Sequence, residues 1–150
     1  MFRGGSTINL DAKGRMALPT RYRDTLVQRC EGCMVITVHD DGCLLLYPRP
    51  EWEEIERKVM RLPNRSRRTR QLQRMLLGRA AEVELDGHGR ILIPPRLREF
   101  AKLDKRVVLA GLGHKFEIWN EEIWEQGCEQ WRADEENGSD LPDPLDSLNL

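Results

Sequence analysis

The chain has 150 residues, 24 of them Lys or Arg and 25 Asp or Glu, with 39% hydrophobic and 33% charged residues. That length allows one or two small domains with an adequate core, and no apolar run approaches the length of a membrane span. Met1-Phe2-Arg3-Gly4-Gly5-Ser6 leads into a strand pattern and not a secretory leader, so a cytoplasmic, soluble protein is expected.

The net charge of −1 conceals an asymmetry. Residues 1–116 carry 23 basic and 14 acidic side chains, whereas residues 117–150 carry one basic and 11 acidic. A basic body with an acidic tail points to a polyanionic ligand and a tail that limits indiscriminate binding.

In chain order, Ile8 and Leu10 alternate with polar neighbours, as do Met16 and Leu18, which predicts two half-buried strands. Asp11-Ala12-Lys13-Gly14 between them has turn chemistry: Asp accepts local backbone hydrogen bonds, and Gly takes positive φ. A hairpin is expected here. If Met16 and Leu18 face the core, Arg15 faces away. Asp11 and Arg15 then form either a structural pair across the turn or part of a binding surface.

Pro19 can open a helix, with Tyr22 and Leu26 on one face. Met34–Val38 and Cys43–Tyr47, split by Asp40-Asp41-Gly42, predict a second hairpin. Trp52, Ile55, Val59 and Leu62 follow helical spacing, with Glu53–Arg57 and Glu54–Lys58 as i,i+4 pairs. Pro63 interrupts, and a further helix runs to Leu77 with Gly78 as its stop. The start of that helix is dense in Arg65, Arg67, Arg68, Arg70 and Arg74, and no acid lies between Arg57 and Ala81. Such a one-sided run favours phosphate contact. Leu72, Met75, Leu76 and Leu77 call for burial against the halves or a neighbouring subunit.

The first stretch then recurs. Asp86-Gly87-His88-Gly89-Arg90-Ile91-Leu92-Ile93-Pro94 repeats Asp11 to Pro19 in register, and Arg96 and Arg98 repeat Arg21 and Arg23. A second pair of strands follows at Val107–Ala110 and Lys115–Trp119, in which Trp119 and Trp124 repeat Tyr47 and Trp52. An internal repeat governs every other reading of a fold. Each half reads strand, turn, strand, short helix, strand, turn, strand, and two such halves would remove their exposed edges by pairing. The boundaries expected are a first repeat over residues 5–51, a basic helical linker over 52–79, a second repeat over 80–123, and a C-terminal helix with an acidic tail over 124–150. The chain from Ala133 onward is expected to be mobile.

Cys30-Glu31-Gly32-Cys33 has a spacing that suits zinc or a thiol–disulfide couple. It has no second C-x-x-C partner, and His39, Cys43, His88, His114 and Cys128 form no familiar ligand set. No metal or cofactor is expected. The chain has no nucleophile–base pair, metal-binding helix or Walker motif, so no enzyme is expected. A scaffold binding RNA or an acidic protein, and a thiol oxidoreductase using Cys30 and Cys33, are the rival readings.

The opening Met1-Phe2-Arg3-Gly4, the paired Asp-x-x-Gly-Arg…Pro motifs and Leu44-Leu45-Leu46-Tyr47-Pro48…Trp52 together resemble the MraZ family over about residues 1–131. The resemblance implies a mainly β protein with short helices (α+β), a double-split, swapped-hairpin β-barrel of AbrB type built from two repeats. It implies a transcriptional regulator that binds double-stranded DNA at short direct repeats, as a homo-oligomeric ring, upstream of its own gene and the division and cell-wall gene cluster. The DNA-reading motif maps onto Asp11, Arg15, Asp86 and Arg90. Arg15 would read a base edge, while Lys13, Arg3, Arg21 and Arg23 would meet phosphates; Arg96 is a further DNA-binding candidate. The second loop has His88 where the first has Lys13 and is less cationic.

Overall fold

Burial along the strands explains how the layers form. The segments Cys33–Val38 and Leu44–Pro48 are apolar on both faces and almost wholly buried, the pattern of strands covered on both sides. A computed structural model describes residues 1–136. In it the first half comprises β1 (Phe2–Asn9), β2 (Arg15–Ala17), α1 (Thr20–Cys30), β3 (Cys33–Val38) and β4 (Leu44–Pro48). Two helices follow, α2 (Arg49–Met60) and α3 (Arg67–Leu76). The second half is β5 (Ala81–Glu84), β6 (Arg90–Leu92), α4 (Pro95–Phe100), β7 (Arg106–Gly113) and β8 (Phe116–Asn120), and α5 (Glu121–Glu136) closes the described chain.

Six strands form one antiparallel sheet in the order β1-β7-β8-β4-β3-β5, and β2 and β6 form a separate two-stranded ribbon. Exchanging the halves leaves this pairing unchanged: β1–β7 becomes β5–β3, and β2–β6 and β4–β8 map onto themselves. The sequence repeat is therefore a pseudo-two-fold of the fold.

Two expectations are corrected. The closed barrel is not formed; the sheet is open, with β1 and β5 as its edges. Nor are Ile8–Leu10 and Met16–Leu18 the arms of a hairpin. They touch through a single bridge, Leu10 to Met16, and each strand pairs across the repeat, Ile8 with Val107 and Met16 with Ile91. The turn itself is the reason. Asp11 N–H donates to the Arg15 carbonyl at 3.0 Å, closing the loop, and β2 ends two residues later at Ala17, ahead of Pro19, which has no N–H to extend a ladder. The second hairpin, β3–β4, forms as expected, turned by Gly42 N–H on the His39 carbonyl at 3.0 Å.

One face of the sheet carries the main core. Phe2, Met34, Ile36, Leu44, Leu46, Leu109, Phe116 and Ile118 pack there against Tyr22 and Leu26 of α1, Leu97 and Ala101 of the α4 segment, Met16 and Ile91 of the ribbon, and Leu18 and Ile93 just beyond its strands. The opposite face has two smaller clusters. Val35, Leu45 and Tyr47 meet Trp52 of α2, with Leu76 and Leu77 against them, and Cys43, Val108 and Trp119 meet Ile123 and Trp124 of α5. Thr37 is fully buried on that face and donates to the Leu76 carbonyl at 2.7 Å, tying the end of α3 to β3. Met75, Leu76 and Leu77 thus find cover within one chain, while Leu72 stays 39% and Trp131 43% exposed.

The basic helix starts at an N-cap, Ser66, whose hydroxyl accepts from Thr69 N–H at 3.0 Å. On α2 the expected Glu53–Arg57 pair is replaced: Glu53 turns back to Arg49 at 3.4 Å. α5 runs to Glu136, so Ala133 to Glu136 is helical; the remaining residues of the acidic tail, 137–150, lie outside the described residues. No helix of the described residues is long and apolar enough to cross a membrane.

Candidate nucleic-acid interface

The two Asp-x-x-Gly-Arg segments fold into the same loop. Asp11 Oδ1 accepts from Lys13 N–H at 3.0 Å and Arg15 N–H at 2.8 Å, and Oδ2 accepts from Arg15 Nε at 2.8 Å. In the second copy Asp86 Oδ1 accepts from His88 N–H at 2.8 Å and Arg90 N–H at 2.9 Å, and Oδ2 accepts from Arg90 Nε at 2.9 Å. One carboxylate therefore closes the turn and orients the arginine that follows it. These bonds favour the ionised carboxylate. The Arg90 backbone N–H is the main cause holding Asp86 down to about 2, and the Arg15 backbone N–H likewise lowers Asp11.

Each Asp–Arg pair uses only the Nε edge of its guanidinium. Among the described residues no protein group bonds the terminal nitrogens of Arg15 or Arg90, and their side chains are about 30% exposed. Met16 and Ile91, fully buried, anchor the ribbon from below, and truncating such a side chain costs about 2–5 kcal/mol. Alternation then puts Arg15, Ala17, Arg90 and Leu92 together on the outward face, with Arg15 opposite Leu92 and Arg90 opposite Ala17.

The loops are also locked to each other. Leu18 N–H donates to the Gly89 carbonyl at 2.9 Å, and Ile93 N–H to the Gly14 carbonyl at 2.9 Å. Arg23 Nε donates to the Leu18 carbonyl at 2.6 Å, and Arg98 Nε to the Ile93 carbonyl at 3.0 Å. Both arginines are half-buried. Arg98 has no expected role in the sequence; the signal that could have found it is the shared spacing Pro19-x-x-x-Arg23 and Pro94-x-x-x-Arg98.

The remaining candidates are dispersed. Lys13 and His88 are exposed at the tips of the loops. Arg21 lies over the Tyr22 ring, 4.5 Å from its centroid, and donates to Ser6 Oγ at 2.9 Å. Arg3 is exposed on β1, its carbonyl accepting from the Tyr22 hydroxyl. Arg96 lines a cleft of about 910 Å³ with Arg74, Arg79 and Phe100.

Cys30 and Cys33 are free thiols. Cys30 Sγ donates to the Leu26 carbonyl at 3.1 Å, and Cys33 Sγ lies 3.6 Å from a Glu84 carboxylate oxygen. Partial desolvation, followed by that carboxylate, raises the Cys33 thiol, the opposite of what a reactive thiolate needs.

Fold and loops together define a class: a single chain in which two copies of one β-rich unit exchange strands and present paired, acid-oriented arginines on a shared ribbon. The family described as "MraZ protein, putative antitoxin-like" matches residues 1–75 and again 76–140. The chain is 57% identical over 150 residues, all of both chains, to the transcriptional regulator MraZ of Thioalkalivibrio sulfidiphilus. It is 58% identical over 131 residues to that of Methylococcus capsulatus, covering 87% of this chain and 86% of the other. With that of Pseudomonas aeruginosa it shares 53% identity over 151 residues, again all of both chains. The chain belongs to the MraZ family.

Proposed function

We propose that the protein is a sequence-specific, DNA-binding transcriptional regulator. It acts in the cytoplasm at the nucleoid, as a homo-oligomeric ring, and represses its own promoter and the division and cell-wall gene cluster by binding short direct repeats. The carrying observation is the pair of arginines on the outward ribbon face, each held at Nε by an aspartate, with terminal nitrogens that no described protein group bonds and a side chain about 30% exposed. A β-ribbon fits the major groove, and an arginine fork matches guanine O6 and N7. In this reading Arg15 and Arg90 read base edges, Asp11 and Asp86 orient them, and Lys13, Arg3, Arg21 and Arg96 meet phosphates and set register. The exposed Arg65, Arg67 and Arg68 add to the attraction for a polyanion.

The names of the relatives support regulation of transcription. The exchange of strands between halves supports an AbrB-type swapped-hairpin relationship, with repeats over residues 5–51 and 80–123, the basic linker over 52–79 and the C-terminal segment over 124–150. A ring would place several copies of the loop on one face, and linked weak sites gain about 10²–10⁴-fold in avidity when geometry permits. Footprinting on the DNA upstream of the protein's own gene tests the proposal. Protection of short, regularly spaced repeats is expected; uniform protection of all sequence would contradict it.

A further inference from the structure

We infer that Arg98 and Arg23 are positioning residues for the two DNA-reading loops, each serving the loop of the opposite repeat. The inference rests on the proposed reading of the ribbon and goes beyond it in saying what holds each loop in its reading conformation.

Three observations converge. Gly14 is buried at φ +86° and Gly89 is half-buried at φ +72°. A methyl group on Gly14 would come within 2.6 Å of Arg98 Nε, and one on Gly89 within 2.6 Å of Arg23 Cζ. The Arg98 guanidinium, and Arg23 at Cδ, Nε and Cζ, therefore fill the space that a Cβ on the turn glycine of the other repeat would need. The same arginines bond the carbonyls of Ile93 and Leu18, and the N–H groups of those two residues bond the carbonyls of Gly14 and Gly89. Arg98, Ile93 and Gly14 form one closed set of contacts; Arg23, Leu18 and Gly89 form its symmetry mate. Arg98 also lines the cleft beside Asp11 and Ala12. Gly14 directly precedes Arg15, so the peptide under Arg98 sets where the Arg15 N–H and Nε meet Asp11. A lysine cannot replace this cover, because the contact uses a planar group with a fixed Nε donor.

The alternative for both arginines is a direct phosphate contact. Amide spectra of the free protein make the first arm of the test. Arg98→Ala should shift the amides of Lys13, Gly14 and Arg15 and leave His88 to Arg90 in place, and Arg23→Ala should do the reverse. Arg98→Lys keeps the charge and the stem and should give the Arg98→Ala pattern. Shifts confined to a variant's own repeat would overturn the inference. The second arm is a set of gel-shift cycles on a duplex carrying the footprinted repeats and on a scrambled duplex. Residues acting through one group are non-additive. Arg98→Ala should therefore weaken preference for the repeats by less than about twofold in an Arg15→Ala background, and by its full factor in an Arg90→Ala background. If it weakens both duplexes equally, lowers the salt slope by about one unit and adds to both variants, it is a phosphate contact and the inference fails. A wild-type protein with no preference between the duplexes would sink the DNA-reading proposal instead; the spectra would still decide the crossed contacts.

Discussion

Arg15 and Arg90 stand at diagonally opposite corners of one ribbon face, Arg15 across from Leu92 and Arg90 across from Ala17. With a strand rise of about 3.4 Å per residue and strands about 4.8 Å apart, their backbones are about 8 Å apart. Both arginines are therefore carried close together on one two-stranded ribbon. The pseudo-two-fold axis passes through the ribbon between them, at the Met16–Ile91 pair, and both of those side chains are fully buried.

The glycine in each turn is required for two reasons at once. Gly14→Ala forces an L-residue into the left-handed region, which costs about 1–2 kcal/mol, and drives a methyl into the Arg98 guanidinium. Gly87 is the internal control. It has no positive φ and open space at its Cβ, and Ala12 occupies the equivalent place in the first loop. Urea unfolding should show a clear loss for Gly14→Ala and almost none for Gly87→Ala.

The loops have a defined acid limit. Asp86 ionises at about 2 in the folded protein against an ordinary 3.8, because the Arg90 and His88 N–H groups and the Arg90 side chain bond its charged form. A carboxylate lowered on folding contributes stability that is fully present above its unfolded value and is lost as pH falls through its folded value. The stabilising contribution of these bonds should therefore be full at pH 5 and decline progressively from about 4 to 2, while in the folded protein the carboxylate keeps its bonds until the pH approaches about 2. A carboxyl titration followed by NMR should place Asp86 well below an exposed aspartate; a midpoint near 3.8 would contradict the bonding described.

Thr37 is the polar link between the sheet and the basic helix. Thr37→Val keeps the volume but leaves the Leu76 carbonyl without its donor, a loss of about 1 kcal/mol. Hydrogen exchange should quicken at the end of α3 and remain unchanged in β7 and β8.

Much of this arrangement is written in the sequence. The Asp11 and Asp86 motifs disclose the repeat, the turn and the outward direction of Arg15, since turn chemistry and alternation are local. Strand partners were not legible. Period-2 alternation says which face of Ile8 is buried, not whether Met16 or Val107 lies beside it. Expecting a hairpin followed from nearness in sequence, and expecting a closed barrel followed from the family resemblance and from the pairing of exposed edges, whereas the edges of β1 and β5 stay open. The crossed roles of Arg23 and Arg98 were hidden for the same reason: each acts on a glycine of the other repeat. Glu53 shows the limit at shorter range, because helical spacing offered it Arg57 as well as Arg49.

The proposed reading of DNA sequence by the Asp–Arg loops rests on Arg15 and Arg90. Gel-shift titration of wild type, Arg15→Ala, Arg90→Ala and Lys13→Ala, on the upstream repeats and a scrambled duplex at two salt concentrations, tests it most directly. Loss of one arginine–base contact costs about 1–3 kcal/mol and relaxes specificity. Multiplied around a ring, Arg15→Ala should abolish the preference for the repeats while leaving the salt-dependent binding common to both duplexes, and Arg90→Ala should reduce that preference less. Lys13→Ala should weaken both duplexes alike and lower the salt slope by about one unit. If Arg15→Ala and Arg90→Ala both keep full preference for the repeats, the loops are structural turns and the account is wrong.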